Sequence, residues 1–269
     1  MTTVQYPQGA DYQLAMQHAD FALVDPVLKH GQIEMRPDRG TIPVVRSGGF
    51  VFTYHLHLTH GSDKALRCYN KAIPDLFARY EHIVPMTRRA ADLFLPTDFQ
   101  RVGILVNGQR YPLMVMEWVA GETLNNWIAH HLTSAAIGSL IPQFDQMLRQ
   151  MAQLGIAHGD LQHGNILVDD QGHLRLIDYD SMYVPALAGL PPADAGQRNY
   201  QHPQRRGEFD ARLDRFPGIV IGLALRALQA DPTLWPEFGI SGENMLFTRE
   251  DFLAPTRSPL LARLRGVSA

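Results

Sequence analysis

Hydrophobic positions in the first half of the chain fall in short runs bounded by glycine and turn residues. Gly48 and Gly49 precede Phe50-Val51-Phe52-Thr53-Tyr54-His55-Leu56-His57-Leu58, whose β-branched and aromatic content predicts a strand. Gly61-Ser62-Asp63 supplies a turn, and Ala65-Leu66-Arg67-Cys68-Tyr69 a second strand, so the pair reads as a hairpin. A short helix is predicted from Pro74 to His82 with Pro74 in its first turn, then an apolar strand from Tyr111 to Trp118 closed by Gly121. The second half changes period. Leu140, Phe144, Met147, Leu148, Met151 and Leu154 recur at three- and four-residue steps before Gly155, the pattern of an amphipathic helix with a C-terminal glycine. Phe216 to Leu228 is apolar on nearly all sides, which predicts a helix buried within a core. Strands first and helices after give an α+β fold of two lobes, with the join between Trp118 and Glu122.

Composition narrows the class. With 269 residues, 45% hydrophobic and 19% charged, the chain can bury a large core and is not a disordered tail. Lys and Arg total 24 against 27 Asp and Glu, a net charge of -3, so no general basic field draws it to nucleic acid. One cysteine, Cys68, excludes an internal disulfide framework and a Cys-rich zinc site. The start, MTTVQYPQGADYQ, lacks the basic and apolar regions of a signal peptide, and the most apolar stretch carries Arg226 and is too short to span a bilayer. A cytoplasmic protein without a membrane partner is expected. Three histidines, His55, His57 and His60, share one strand and its turn; no neighbouring cysteine or carboxylate completes a ligand set in the sequence, so they read as a solvated strand face.

The chemistry concentrates in His158-Gly159-Asp160-Leu161-Gln162-His163-Gly164-Asn165-Ile166-Leu167-Val168 and Leu174-Arg175-Leu176-Ile177-Asp178. Asp169-Asp170-Gln171-Gly172 is a turn between two β-type runs, so the segment is predicted to fold as a hairpin. A hairpin brings its outer ends together, which sets Asn165 beside Asp178. An amide oxygen and a carboxylate are hard ligands suited to Mg²⁺, which takes few protein ligands and completes its shell with water and phosphate. Asp160, on the loop before them, is placed to accept a proton from a hydroxyl attacking a phosphate.

These residues resemble the protein-kinase superfamily. Its H-R-D-L-x-x-x-N pattern, followed by D-F-G, is similar to His158 through Asn165 and to Asp178-Tyr179-Asp180. The H-G-D-L-x-x-G-N and I-D-[WY] versions of small-molecule kinases acting on aminoglycosides or choline fit His158 to Asn165 and Ile177-Asp178-Tyr179 as well. Downstream, Gly196 to Gln204 resembles the G-T-x-x-Y-x-x-P-E end of a protein-kinase activation segment. Asp214-Arg215-Phe216-Pro217-Gly218 resembles the start of the buried helix whose Asp braces the catalytic loop. The likeness is to a bacterial branch of eukaryotic-like Ser/Thr kinases. It implies a two-lobed kinase-like fold with a strand-rich N-lobe and a helical, abbreviated C-lobe. It also implies ATP with Mg²⁺ or Mn²⁺, and a protein substrate or regulatory protein partner. By this resemblance Asp160 is the catalytic base, and Asn165 and Asp178 are catalytic metal ligands. Nucleotide would meet Gly48, Ala65 and Arg67, with Glu81 as ion-pair partner of Arg67, and the backbone from Glu117 to Val119.

The nucleotide side departs from the family. Only Gly48 holds a lid glycine position, and Arg67 replaces the V-A-I-K lysine. Gln162 replaces the catalytic-loop lysine, Asp180 the D-F-G glycine, and Gln204 the A-P-E glutamate. Asp180 either adds a carboxylate to the metal site or ends the turn. The expected division is an N-terminal extension over 1–40, an N-lobe over 41–118 and a C-lobe over 119–269. The expected function is Ser/Thr protein phosphorylation. A pseudokinase switch is the second reading and a small-molecule kinase the third.

Overall fold

The computed structural model describes residues 5–239 and 242–266; the outermost parts of the expected extension and C-lobe, 1–4 and 267–269, lie outside the described residues. The chain divides into two compact units, residues 1–91 with 95–119, and 92–94 with 120–269.

The first unit runs α1 (Gly9–Gln17), α2 (Ala19–Ala22), β1 (Gln32–Ile33), β2 (Met35–Arg36), β3 (Arg39–Pro43), β4 (Arg46–Ser47), β5 (Val51–His57), β6 (Lys64–Tyr69), α3 (Leu76–Arg89), β7 (Thr97–Val106) and β8 (Gln109–Glu117). Its main sheet has the order β1-β5-β6-β8-β7, with β4 added on β5. The hairpin read from the sequence is present, with Val51 opposite Tyr69 and Leu56 opposite Lys64. Tyr12 and Met16 of α1 and Leu23 pack with Tyr54, Leu56, Leu66, Ile104 and Leu113 in one buried cluster, and the Tyr12 hydroxyl donates to Tyr69 O at 2.8 Å.

Two elements of this unit differ from the sequence expectation. α3 begins after Pro74, because Asp75 takes a left-handed turn at φ 54, and it then runs through Pro85 to Arg89. β7 is a full strand that the sequence pattern hid. Gly103 interrupts it and its register slips between Gln100 and Ile104, because a Cβ at Gly103 would lie 2.4 Å from Leu113 Cβ. That is the signature of a bulge accommodating close backbone approach.

The second unit contains β9 (Gly121–Thr123), α4 (Leu124–His130), α5 (Ser134–Leu154), β10 (Ile166–Asp169), β11 (Leu174–Leu176), α6 (Arg215–Ala230), α7 (Leu234–Phe238), α8 (Arg249–Leu253) and α9 (Pro259–Leu264). Segment 92–94 joins it through backbone pairing, with Leu176 N–H donating to Leu93 O at 3.1 Å. α5 is capped by Thr133 and stopped by Gly155 at φ 66. It packs on α6 at glycine positions; at Gly218 a Cβ would meet Leu148 Cδ1 at 3.0 Å. α6 is not buried all round. Val220, Ile221, Ala224, Leu225 and Leu228 are buried, whereas Ile219 and Leu223 are 60% and 49% exposed, so its apolar surface exceeds what the unit covers. The described helices after α6 are short. None of the described helices is long and apolar enough to cross a membrane.

Candidate active site

The loop from Ala157 to Asn165 is fixed by bonds to three other elements of the second unit. At its start, Ala157 and Tyr183 exchange both backbone hydrogen bonds, at 3.0 and 2.8 Å. Asp214, immediately before α6, accepts the backbone N–H of Gly159 at 3.0 Å and that of His158 in a short bond. Burial pushes this carboxyl up from its ordinary range, and the two amides oppose the shift. Gly159 is required where it stands. Its φ is 81, and a Cβ there would lie 2.0 Å from the Ser181 carbonyl oxygen.

Asp160 is held from both sides. Its Oδ2 accepts from Gln162 Nε2 at 2.9 Å and Asn165 Nδ2 at 3.1 Å. Its Oδ1 accepts the backbone N–H of Gln197 at 2.8 Å. Asn165 Nδ2 also donates to the Asp160 carbonyl at 2.8 Å. Both amide hydrogens of Asn165 are thereby used, and among the described residues no donor reaches its Oδ1. β10 and β11 pair with Ile166 opposite Leu176, and Ile177 N–H donates to Asn165 O at 3.0 Å. The hairpin therefore brings Asn165 to the residue preceding Asp178. Asp178 has φ 69, a left-handed conformation that a non-glycine residue adopts at a cost. Tyr179 next to it is buried, edge-on to Phe94, with its hydroxyl donating to Leu176 O at 2.6 Å. Asp180 is buried as well.

Further contacts fasten the loop to residues 196–245. The Tyr200 hydroxyl accepts from Met245 N–H at 3.0 Å and lies 2.5 Å from His163 Nδ1, while His163 Nε2 lies 3.1 Å from Gly242 O. These distances assign the ring proton to Nε2 and the tyrosine proton to Nδ1. Burial holds the His163 imidazole below its ordinary value and pushes the Tyr200 phenol up. The sequence motif named Tyr200 but gave no sign that His163 would be its partner, nor that the Gln197 amide would sit on Asp160.

A family model for the protein kinase domain matches residues 99–203, which spans this whole loop, the hairpin and the segment that follows. Over that stretch the chain is similar to the protein kinase domain. It is 25% identical over 246 residues to CBL-interacting protein kinase 25 of rice, covering 82% of this chain and 45% of the rice protein. It is also 25% identical over 158 residues to the serine/threonine-protein kinase PknL of Mycobacterium tuberculosis, covering 56% of this chain and 38% of PknL. It thus spans less than half the length of these curated relatives. Among solved structures, the kinase PK-1 of the Cydia pomonella granulovirus superposes with a TM-score of 0.52 at 16% identity, over 87% of this chain and 96% of that one. The fold is the α+β protein-kinase fold with a strand-rich and a helical lobe.

The superfamily's nucleotide-side positions fall in the first unit. Gly48 lies in the tight turn joining β4 to β5, its N–H donating to Val51 O at 2.9 Å. Ala65 and Arg67 are both buried on β6, and alternation along a strand turns them to one face. Glu81 corrects its expectation. The buried stripe of α3 runs through Leu76, Arg79, Tyr80, Ile83 and Thr87, so Glu81 turns outward to a loose pair with Arg101 at 3.9 Å. Glu117 ends β8, Trp118 N–H donates to Asp63 O at 2.8 Å, and no hydrogen bond among the described residues uses the backbone of Val119.

The histidine cluster also needs correction. The solvated reading holds for His57, which is exposed, and fails for His55, which is buried; the Asp63 carboxylate across the turn lies 3.0 Å from His55 Nε2 and 2.8 Å from His57 Nδ1. Six and eight residues separate Asp63 from the histidines, so a reading confined to adjacent positions passes over it. His60 is not part of the group.

Proposed function

We propose that the chain is an ATP-dependent phosphotransferase acting on serine or threonine hydroxyls of a protein. The observation that supports this most strongly is Asp160, a carboxylate oriented by three donors at the mouth of a hairpin that brings Asn165 next to the Ile177-Asp178 turn. An acceptor hydroxyl at Asp160 would be oriented for in-line attack and would give up its proton to the carboxylate as its oxygen bonds the γ-phosphorus of ATP, while the bond from that phosphorus to the β–γ bridging oxygen breaks and ADP leaves. The donor chemistry fits a hard divalent cation. Asn165 Oδ1 is left for one because its amide hydrogens are engaged, and Asp178 adds a carboxylate in a strained turn. Mg²⁺ or Mn²⁺ bound by Asn165 and Asp178 would neutralise charge on the transferring phosphate. Gly48, Ala65, Arg67 and the Glu117–Val119 backbone are the residues proposed to meet the nucleotide.

One observation favours a second reading, a pseudokinase. Where the superfamily places a catalytic-loop lysine, neutral Gln162 bonds Asp160 itself, and Arg67 replaces the strand lysine with a longer planar cation. The two readings part on one variant. Asp160→Asn keeps the shape of the loop, so it should still bind nucleotide while transfer of radiolabelled γ-phosphate to protein acceptors falls by about 10²-fold or more. Asp178→Asn should instead remove the thermal stabilisation conferred by nucleotide with Mg²⁺, which follows mass action. Equal background transfer in wild type and Asp160→Asn would select the pseudokinase.

A further inference from the structure

The His55–His57–Asp63 group lies wholly within the first unit and serves no step of the proposed reaction. Its three ligand atoms all lie within 4.8 Å of one another. Asp63 Oδ1 accepts Leu58 N–H at 3.1 Å, which fixes the carboxylate and aims Oδ2 between the two imidazoles at 3.0 and 2.8 Å. On the far side of His55, Nδ1 lies 3.3 Å from Glu34 Oε2. The buried ring of His55 thus has a carboxylate at each nitrogen. A neutral imidazole carries one N–H, so it can donate to only one of them and turns a lone pair on the other. The tautomer with its proton on Nδ1, toward Glu34, is the one that turns the Nε2 lone pair to Asp63 and His57.

We infer that this hairpin end is a binding site for a divalent transition-metal ion, Zn²⁺ before others. His55 Nε2, His57 Nδ1 and Asp63 Oδ2 would be its protein ligands, and water would fill the open position. A metal held by the Nδ1–H tautomer would replace the His55–Asp63 contact with two coordinate bonds. Glu34 then plays the part that outer carboxylates play around metal-bound histidines, fixing tautomer and ring orientation. The ring is also held by stacking on Trp118, 3.8 Å between centroids at 10°. Ligand atoms at about 2.1 Å on a tetrahedral zinc stand about 3.4 Å apart. The two nitrogen–oxygen distances therefore need to open only slightly. Two imidazoles and one carboxylate favour zinc, nickel or copper over magnesium, which separates this site from the Asn165–Asp178 pair. Because Asp63 O receives the Trp118 N–H at 2.8 Å, metal here would brace the strand end that carries Glu117 to Val119.

The test uses the full chain, stripped with chelator, re-equilibrated with Zn²⁺ or Mg²⁺, and assayed for bound metal by mass spectrometry and for thermal stability. One zinc per chain and a rise in melting temperature with Zn²⁺ are expected. His57→Ala and Asp63→Asn should each lose the bound zinc, and Glu34→Gln should weaken it by about 10-fold or more. His57 is exposed, so its removal leaves the core intact, and circular dichroism confirms that each variant is folded. Co²⁺ substitution adds a visible spectrum that reports ligand type and should vanish in the same variants. Absence of stoichiometric zinc in wild type overturns the proposal. So does equal zinc content in wild type and His57→Ala, which would place the metal elsewhere among the chain's 12 histidines.

Discussion

At the residue scale, the contact between His163 and Tyr200 shows how one buried polar pair ties the His158–Asn165 loop to distant chain. Tyr200 serves two partners through a single hydroxyl, and each is buried or half-buried. Tyr200→Phe leaves the Met245 N–H without its acceptor and the His163 nitrogen without its donor. A loss of about 1–3 kcal/mol in chemical denaturation is expected. The same pair makes stability depend on pH. Burial holds His163 below its ordinary value of 6.5, so the folded chain keeps the ring neutral where the unfolded chain protonates it. As pH falls below the unfolded value the unfolded state binds the extra proton, and stability drops. Denaturation midpoints compared at about pH 7.5 and about pH 5.5 should show that drop in wild type, and a flatter dependence in His163→Gln. An unchanged slope in the variant would assign the acid sensitivity to another group.

At the element scale, the start of α6 functions as a clamp. Asp214 accepts two consecutive backbone amides of the loop, an arrangement that a neutral side chain with one acceptor oxygen cannot reproduce. Asp214→Asn should cost about 1–3 kcal/mol and speed hydrogen exchange in the peptide that carries residues 157–161, while the β5–β6 hairpin of the other unit exchanges as before. This clamp was legible in the sequence through a resemblance, that of Asp214-Arg215-Phe216-Pro217-Gly218 to the kinase helix start whose Asp braces the catalytic loop. So were the β5–β6 and β10–β11 hairpins, because alternation, turn residues and spacing are local signals. What stayed hidden depends on contacts between distant segments. β7 was masked by Gly103, whose role is set by Leu113 across the sheet. The outward turn of Glu81 follows from which face of α3 meets the sheet, and the exposed Ile219 and Leu223 of α6 from how little chain packs over them. Asp63 joined the histidines only once the hairpin was closed.

At the scale of the whole molecule, the question is how such a protein would be controlled, and the structure favours a phosphorylation-independent state. In regulated kinases an arginine before the catalytic aspartate helps receive a phosphorylated residue and orders the activation segment. Here that position is Gly159, where even a methyl group would strike the Ser181 carbonyl. The segment is already ordered by other means. Ala157 pairs with Tyr183, Gln197 caps Asp160, Asn199 Oδ1 accepts Arg249 N–H at 3.0 Å, and Arg249 donates to Pro203 O at 2.9 Å. The hydroxyls between Asp180 and Pro203 belong to Ser181, Tyr183 and Tyr200. Ser181 is only 9% exposed and Tyr200 not at all, so a modifying enzyme would have to unfold the segment to reach either. A phosphate at Ser181 would also stand beside Asp180 and close to Asp178 in sequence, where like charge repels it. Phosphosite mapping of the active protein, with phosphoryl transfer measured before and after phosphatase treatment, should show no stimulatory phosphate between 181 and 202 and no loss of activity on dephosphorylation. A phosphate in that range whose removal silences transfer would mean that the segment opens and re-forms around it, against every contact that now holds it closed.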